Sequence, residues 1–183
     1  MDNEDTQKHQ SLIGYLQRDI YLGIFGICTH VMPMYSFKYA PCQGHMDMLK
    51  RIYAYMNKMS NFYIQVHTED PDESALTYQQ FDWKYSVYGD VKELLTDNAP
   101  KSLGNYVRLT HYVNANLLHD QLTGFYITGI LHLFKKYPVN WYYKKHITVD
   151  KSTYDSEFFS SRKCAEKNIY LRNNIIYLGV SIQ

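Results

Sequence analysis

Two residues in the second half of the chain have side chains and positions suited to metal-assisted chemistry: Asn114 and Glu157. Asn114 stands at the end of a strand-like run, and Glu157 falls within the first turns of a long helical pattern. Hard divalent cations take oxygen ligands, and two such ions can hold the attacking and leaving oxygens of a phosphodiester. Glu157 could supply a carboxylate, whereas Asn114 could supply only one neutral carbonyl oxygen. A solvated glutamate stabilised by the helix dipole is an equally good interpretation of Glu157.

Other polar side chains fit structural roles better. Asp150 and Asp155 lie near the start of the same helical pattern and are predicted to cap it or to interact with its dipole. Asp120 lies in a predicted turn, where aspartate is common. The histidines show no HExxH spacing, and the cysteines, three in number, form no CxxC pair, so no zinc site or disulfide framework is indicated. Ordinary strand or loop roles are predicted for His119, His132 and His146.

Local clusters of cations are the only attraction that the sequence offers to nucleic acid, because the formal net charge is +1. Lys144 and Lys145 form the cluster of most interest, and the others are Lys135–Lys136 and Arg162–Lys163, with Lys167 and Arg172 further along. Solvated helix faces and hairpin tips explain such clusters equally well. The N-terminus is polar and acidic, unlike a signal peptide, and no apolar run reaches the ~20 residues that cross a bilayer. We therefore expect an intracellular protein, cytoplasmic or nuclear, without a membrane partner.

The first half of the chain is predicted to be mainly helical. Residues 1–8 form a frayed tail in this interpretation, and a 3.6-residue period predicts one buried helix over residues 10–31, ended or kinked by Pro33. A second helix is predicted from about Gln43 to residue 57. Residues 62–67 alternate as a half-buried strand. Residues 68–106 are acidic and turn-rich around an aromatic block, which indicates a connector anchored on its neighbour by Trp83 and Tyr88.

The second half is predicted to contain three strands and a long helix. The first strand begins near Val107, Gly124 marks the entry to the second, and Tyr137–Pro138 the turn into the third. The helix is predicted from about Ser152 to residue 178, with Gly179 as its C-terminal cap. Its predicted apolar stripe consists of Tyr154, Phe158, Ala165, Ile169 and Ile176.

Several blocks of sequence occur in an order that resembles the C-terminal part of the Pol polyprotein of copia-type retrotransposons. They are HQSLIGYLQ, APCQGHMDMLKRIYAYM, FDWKYSVYGDVKELL with NAPKSLG, YVNANLLHDQLTG, TGILHLF, and STYDSEF with LRNNIIYLGV. The resemblance covers nearly the whole chain. It implies that residues 1–67 are similar to the thumb and connection at the end of a reverse transcriptase, residues 68–106 to a connector, and residues 107–183 to the first half of a ribonuclease H domain.

The resemblance also implies roles for the two candidate site residues. Asn114 occupies the position of the family's first catalytic aspartate, and Glu157 matches the catalytic glutamate and is the one residue expected to contact metal. The family uses Mg²⁺ or Mn²⁺, and the substituted amide predicts weak metal binding. The third carboxylate would follow Gln183. The expected partners are an RNA–DNA hybrid, ancestrally, and the remainder of a Pol polyprotein.

The implied fold is therefore α/β: a helical thumb-like or connection-like piece followed by an incomplete ribonuclease H-like fold, truncated before its fourth strand. In such a sheet the next strand pairs in parallel beside the first, so its loss would leave an aggregation-prone edge over residues 107–116. The chain departs from the family at Arg18, Gly26, Pro33 and Phe125, and an arginine or proline inside a buried helix is costly. We expect a degenerate fragment without polymerase or nuclease activity. The alternatives are a non-catalytic nucleic-acid binder that uses Lys144 and Lys145, and an interaction protein unrelated to retroelements.

Overall fold

The computed structural model describes residues 2–61, 98–117, 124–147 and 152–182, with scattered positions between 66 and 89. Within these ranges the chain is mixed α/β, with four α-helices and five β-strands. The helices are α1 (Asn3–Tyr21), α2 (Cys28–Tyr35), α3 (Gln43–Lys58) and α4 (Thr153–Tyr177). The strands are β1 (Leu103–Val107), β2 (Leu109–Asn116), β3 (Ile127–Phe134), β4 (Tyr137–Lys145) and β5 (Val180–Ile182).

The first predicted helix is divided in the structure. Asp2 caps α1, its side chain accepting a hydrogen bond of 2.7 Å from the backbone N–H of Asp5, so the predicted frayed tail is helical. The helix ends before Gly23, whose φ of +118° breaks the predicted continuous helix over residues 10–31. Pro33 lies inside the separate helix α2. Arg18 is exposed in the last turn of α1, so the expected cost of burying it does not arise.

Helices α1 to α3 pack around an apolar cluster, hereafter the helical core. The predicted second helix is confirmed as α3, and its first turn is closed by a hydrogen bond of 3.1 Å from the backbone N–H of Cys42 to Nδ1 of His45. The hydroxyl of Tyr53 on α3 donates to the carbonyl of Leu12 on α1 at 2.9 Å. The buried members of the helical core are Ile13, Leu16, Ile20, Ile27, Cys28, Val31, Leu49 and Ile52.

The three predicted strands are confirmed as a three-stranded antiparallel sheet in the order β2–β3–β4. The turn between β3 and β4 falls at Lys135, whose φ is +57°, rather than at the predicted Tyr137–Pro138. Pro138 can join β4 because β4 is an edge strand within the described sheet, where a missing backbone donor is tolerated. The edge predicted to be open over residues 107–116 is paired at Val107, which lies opposite Ile182 of β5, whereas among the described residues β2 pairs only with β3. The expected consequence of that edge, self-association, stays a prediction.

Two short strands were not predicted. β1 lies in the segment interpreted as connector, and β5 follows the final helix. They pair in parallel, with Leu103 opposite Val180 and Val107 opposite Ile182. The chain reaches β5 through Gly179, whose φ of +77° confirms it as the residue that ends the helix. The backbone carbonyl of Gly179 accepts a 2.7 Å hydrogen bond from the N–H of Leu103. The residue that ends α4 therefore also makes the first hydrogen bond between β1 and the β5 segment.

Helix α4 has the predicted limits but not the predicted buried face. Most of the apolar stripe is exposed: Tyr154 by 71%, Phe158 by 63% and Ile169 by 54%. The buried residues on α4 are Ser156, Ser160, Cys164 and Ile175. Helix α4 therefore packs with its serine face against the sheet and its aromatic face outward.

The acidic part of the predicted connector contacts the β3–β4 turn. Nζ of Lys136 lies 3.3 Å from Oε2 of Glu69, and Nζ of Lys135 lies 3.6 Å from Oδ1 of Asp70. The predicted anchors, the side chains of Trp83 and Tyr88, lie outside what the structure describes. The same is true of the strand predicted over residues 62–67 except for Val66, which is exposed. The Lys135–Lys136 cluster is thus paired with carboxylates.

Candidate functional site

Asn114 lies on the sheet face that is directed toward helices α1 to α3. In the sheet, Asn114 is opposite Gly129, which is in turn opposite Tyr143. Directly opposed residues direct their side chains to the same face. Tyr143 packs against the helical core, which identifies that face. Asn114 is exposed at the margin of this face.

Helix α4 packs on the other face of the sheet. The hydroxyl of Ser160 on α4 lies 2.6 Å from the hydroxyl of Thr128 on β3, and Thr128 is opposite Ala115 rather than Asn114. Glu157, in the first turns of α4, is exposed. The structure therefore does not bring Asn114 and Glu157 together, because strand alternation places the residue after Asn114, not Asn114 itself, on the helix side.

The start of α4 confirms the capping role predicted for Asp155. The backbone N–H of Asp155 donates to the Ser152 hydroxyl at 3.2 Å, and that hydroxyl donates to the Asp155 carboxylate at 2.8 Å. Asp120 and Asp150 lie outside the described residues. Within the part of the chain that is described, no group of three or more histidine, cysteine, aspartate or glutamate side chains could hold a metal ion. Asn114 lies on the sheet face that Tyr143 shares, and Glu157 belongs to the helix that packs on the other face.

The predicted pair Lys144 and Lys145 is divided between the two faces of β4. Lys145 is half-buried, with Nζ 5.4 Å from the ring centroid of Phe125. Lys144 is exposed and shares the α4 side with Tyr142, two residues earlier in the strand. The structure adds two lysines of α4 to this side. Nζ of Lys167 lies 4.4 Å from the ring centroid of Tyr142, and Lys163 lies one helical turn earlier.

Two buried polar clusters under α4 were not predicted. In the first, Nδ1 of His111 on β2 lies 2.7 Å from Nδ1 of His132 on β3. Burial, His111 and then Lys167 lower the pKa of His132 to about 4, and burial also lowers the pKa of His111. One ring must donate and the other accept, so the pair holds at most one positive charge without losing its hydrogen bond.

The second polar cluster joins β3, the residue that follows β4, and α4. The Thr128 hydroxyl bonds to Ser160 and lies 3.1 Å from Nε2 of His146. The His146 ring stacks on Tyr126 with centroids 4.3 Å apart, and Phe159 of α4 packs edge-on against both. Sequence reasoning treated His132 and His146 as ordinary strand or loop histidines. Strand alternation could have indicated the burial of His132, because residues 128, 130 and 132 lie on one face of a strand.

No family model, curated protein or solved structure matches the chain. None of the helices in the described ranges is long and apolar enough to span a bilayer.

Proposed function

We propose that this chain is a degenerate fragment of a copia-type Pol polyprotein, from the region that joins reverse transcriptase to ribonuclease H. Ancestrally, this region acts on the RNA–DNA hybrid of reverse transcription. The chain itself has neither polymerase nor nuclease activity. The proposal begins from the ordered run of sequence blocks, which extends from residue 9 to residue 180.

The observation that carries the proposal is the order in which the elements of the second half are paired. Three antiparallel strands are followed by a long helix, and the helix by a strand that pairs in parallel with β1. Only Arg108 separates β1 from β2. A ribonuclease H-like sheet requires this arrangement, with the strand after the helix parallel to the first strand. The parallel pairing of Leu103 with Val180 and of Val107 with Ile182 supports the proposal in this respect.

The absence of activity is inferred from the chemistry and placement of the candidate site residues. Asn114 supplies no negative charge to a hard cation. Asn114 lies on the same face of the sheet as Tyr143, whereas Glu157 belongs to α4, which is bonded to Thr128 on the other face. A single exposed glutamate cannot position two ions about 3.5–4 Å apart.

Incubation of the purified full chain with labelled RNA–DNA hybrid and Mg²⁺ or Mn²⁺ tests this proposal. We expect no cleavage by the natural chain or by Glu157→Gln. We also expect none from Asn114→Asp, because that carboxylate would still lie across the sheet from Glu157. Cleavage that is lost in Glu157→Gln and kept in Glu4→Gln, an exposed glutamate of α1, would overturn the proposal. Cleavage gained by Asn114→Asp would show that the two residues share a site.

A second candidate function is non-catalytic binding of nucleic acid. The observation that favours it is the position of Lys144, Lys163 and Lys167 on one side of the sheet, around Tyr142. This differs from the predicted pair, because Lys145 is replaced by two lysines of α4. A nucleic-acid binder of this kind would need no metal and no catalytic carboxylate.

A further inference from the structure

We infer that a step between β4 and α4 binds the phosphate backbone of a nucleic-acid strand. This step, hereafter the basic ledge, consists of Tyr142 and Lys144 on β4 and Lys163 and Lys167 on α4. The inference rests on the second candidate function and specifies its surface. It is independent of whether the chain cleaves a hybrid.

The ledge exists because α4 does not cover the whole sheet. The helix packs on β2 and β3, and β4 is the next strand outward. The residues of β4 that face the α4 side therefore stand beside the helix rather than beneath it. Tyr142 lies at the base of the step, half-buried, with Lys167 above its ring, and Lys144 lies about 7 Å further along the strand.

The charge on the ledge is positive even after its one ion-paired carboxylate is counted. Glu166 binds both Arg162, at 3.1 Å, and Lys163, at 2.7 Å. Hydrogen bonding to Lys163 is the main cause of the lowered pKa of Glu166, so this carboxylate is ionised at neutral pH. Residues 162–167 carry three cations against this one carboxylate, and Lys144 adds a further cation. By contrast, Lys135 and Lys136 are paired with Asp70 and Glu69.

The side chains of this surface suit a nucleic-acid strand better than a membrane. Proteins that bind single strands combine a cationic groove with aromatic side chains, and the ledge has both. Binding to a membrane surface needs exposed apolar residues beside the cations. At 100° per residue, the exposed Tyr154 and Phe158 lie on the opposite side of α4 from Lys163 and Lys167. The exposed Tyr170 lies on the lysine side, where its ring adds a surface on which a base can stack.

The test measures the affinity of the full chain for a labelled single-stranded DNA 20-mer and an RNA–DNA hybrid over a range of salt concentrations. The variants are Lys144→Gln, Lys163→Gln and Lys167→Gln. Lys50→Gln is the matched control, because Lys50 is an exposed lysine of α3 paired with Asp47 at 3.4 Å. We expect each ledge variant to weaken binding about two- to fivefold, the effect of one exposed ion pair. The slope of log K against log salt should fall by about 0.7 per lysine for the single strand.

Glu166→Gln should change the affinity for nucleic acid in the opposite direction. Removing the carboxylate that competes for Lys163 should strengthen binding at low salt, and the gain should vanish at high salt. Circular dichroism establishes that each variant is folded. Lys144→Gln decides the question if Lys167→Gln fails to fold, because Lys144 is exposed.

Three results would overturn the inference. One is an equal loss of affinity in Lys50→Gln and the ledge variants, which would indicate a diffuse charge effect. Another is an unchanged salt slope in all three ledge variants. The last is binding to phosphatidylserine vesicles that depends on the same lysines, without binding to either nucleic acid. None of these results bears on cleavage, so this inference and the proposal of an inactive fragment can fail separately.

Discussion

The central sheet has a helical layer on each face, and different interactions hold the two layers in place. On one face, α1 to α3 bury isoleucine, leucine and valine side chains against Trp141 and Tyr143. On the other face, α4 buries Ser156 and Ser160 above Thr128 and His132. The first layer depends on removing apolar surface from water. The second depends on pairing polar groups that would be costly to bury alone. Sequence periodicity detects the first kind of contact more readily than the second.

The largest expected effect is at the helical core. Leu49 is fully buried on α3, and Leu49→Ala should lower the free energy of unfolding by about 2–5 kcal/mol, through lost transfer energy and the cavity that remains. Urea denaturation, followed by circular dichroism, measures this. Met48→Ala is the control. Met48 is the residue before Leu49, its side chain is 37% exposed, and its removal should lower the free energy of unfolding much less. Equal losses in the two variants would mean that α3 does not pack as described.

The two layers differ in how far their geometry could be derived from sequence. The limits of α4 follow from local chemistry: Ser152 caps its start, and Gly179 adopts the left-handed conformation after its end. Its buried face could not be derived in this way, because the hydrogen bond between Ser160 and Thr128 joins residues 32 positions apart. The stripe of Tyr154 and Phe158 has the period of a buried face, but it lies toward solvent.

The face on which Asn114 lies could not be derived locally for a related reason. The sequence places Asn114 at the end of a strand, as β2 confirms, but the face on which it lies depends on register with β3. A signal was present in the strand itself. Alternate positions from Leu109 to Ala115 are less polar than the positions from Thr110 to Asn116, which favours the former set for the helix side. The residue type at position 114 carries no information about this alternation.

The next effect in size is acid sensitivity of the polar layer. The pKa of His132 is lowered to about 4, first by burial and then by His111 and Lys167. The unfolded chain therefore binds a proton near pH 6.5 that the folded chain does not bind until about pH 4. Stability is full above pH 6.5 and falls as the pH decreases through this window, by at most about 1.4 kcal/mol per pH unit for one group. Urea denaturation at a series of pH values measures the slope.

Two variants measure how much each layer contributes to the dependence of stability on pH. His132→Asn should flatten the slope contributed by the α4 side. His9→Asn should flatten the slope contributed by the helical core, because burial and then His45 lower the pKa of His9 as well. If His132→Asn leaves the slope unchanged, His132 does not remain neutral below pH 6.5 as the structure implies.

The smallest expected changes in stability come from two substitutions on α4, one on its buried face and one on its exposed face. Ser160→Ala removes one hydroxyl from α4, yet should cost about 1–2 kcal/mol, because the buried Thr128 hydroxyl loses a partner at 2.6 Å and keeps only His146. Phe158→Ala removes a whole aromatic ring that is 63% exposed, and should change the free energy of unfolding by no more than about 0.5 kcal/mol. Urea denaturation at pH 7 compares the two. The reverse order would mean that the aromatic stripe of α4 is buried, in which case the periodicity argument from sequence would be right and the polar layer would lie elsewhere.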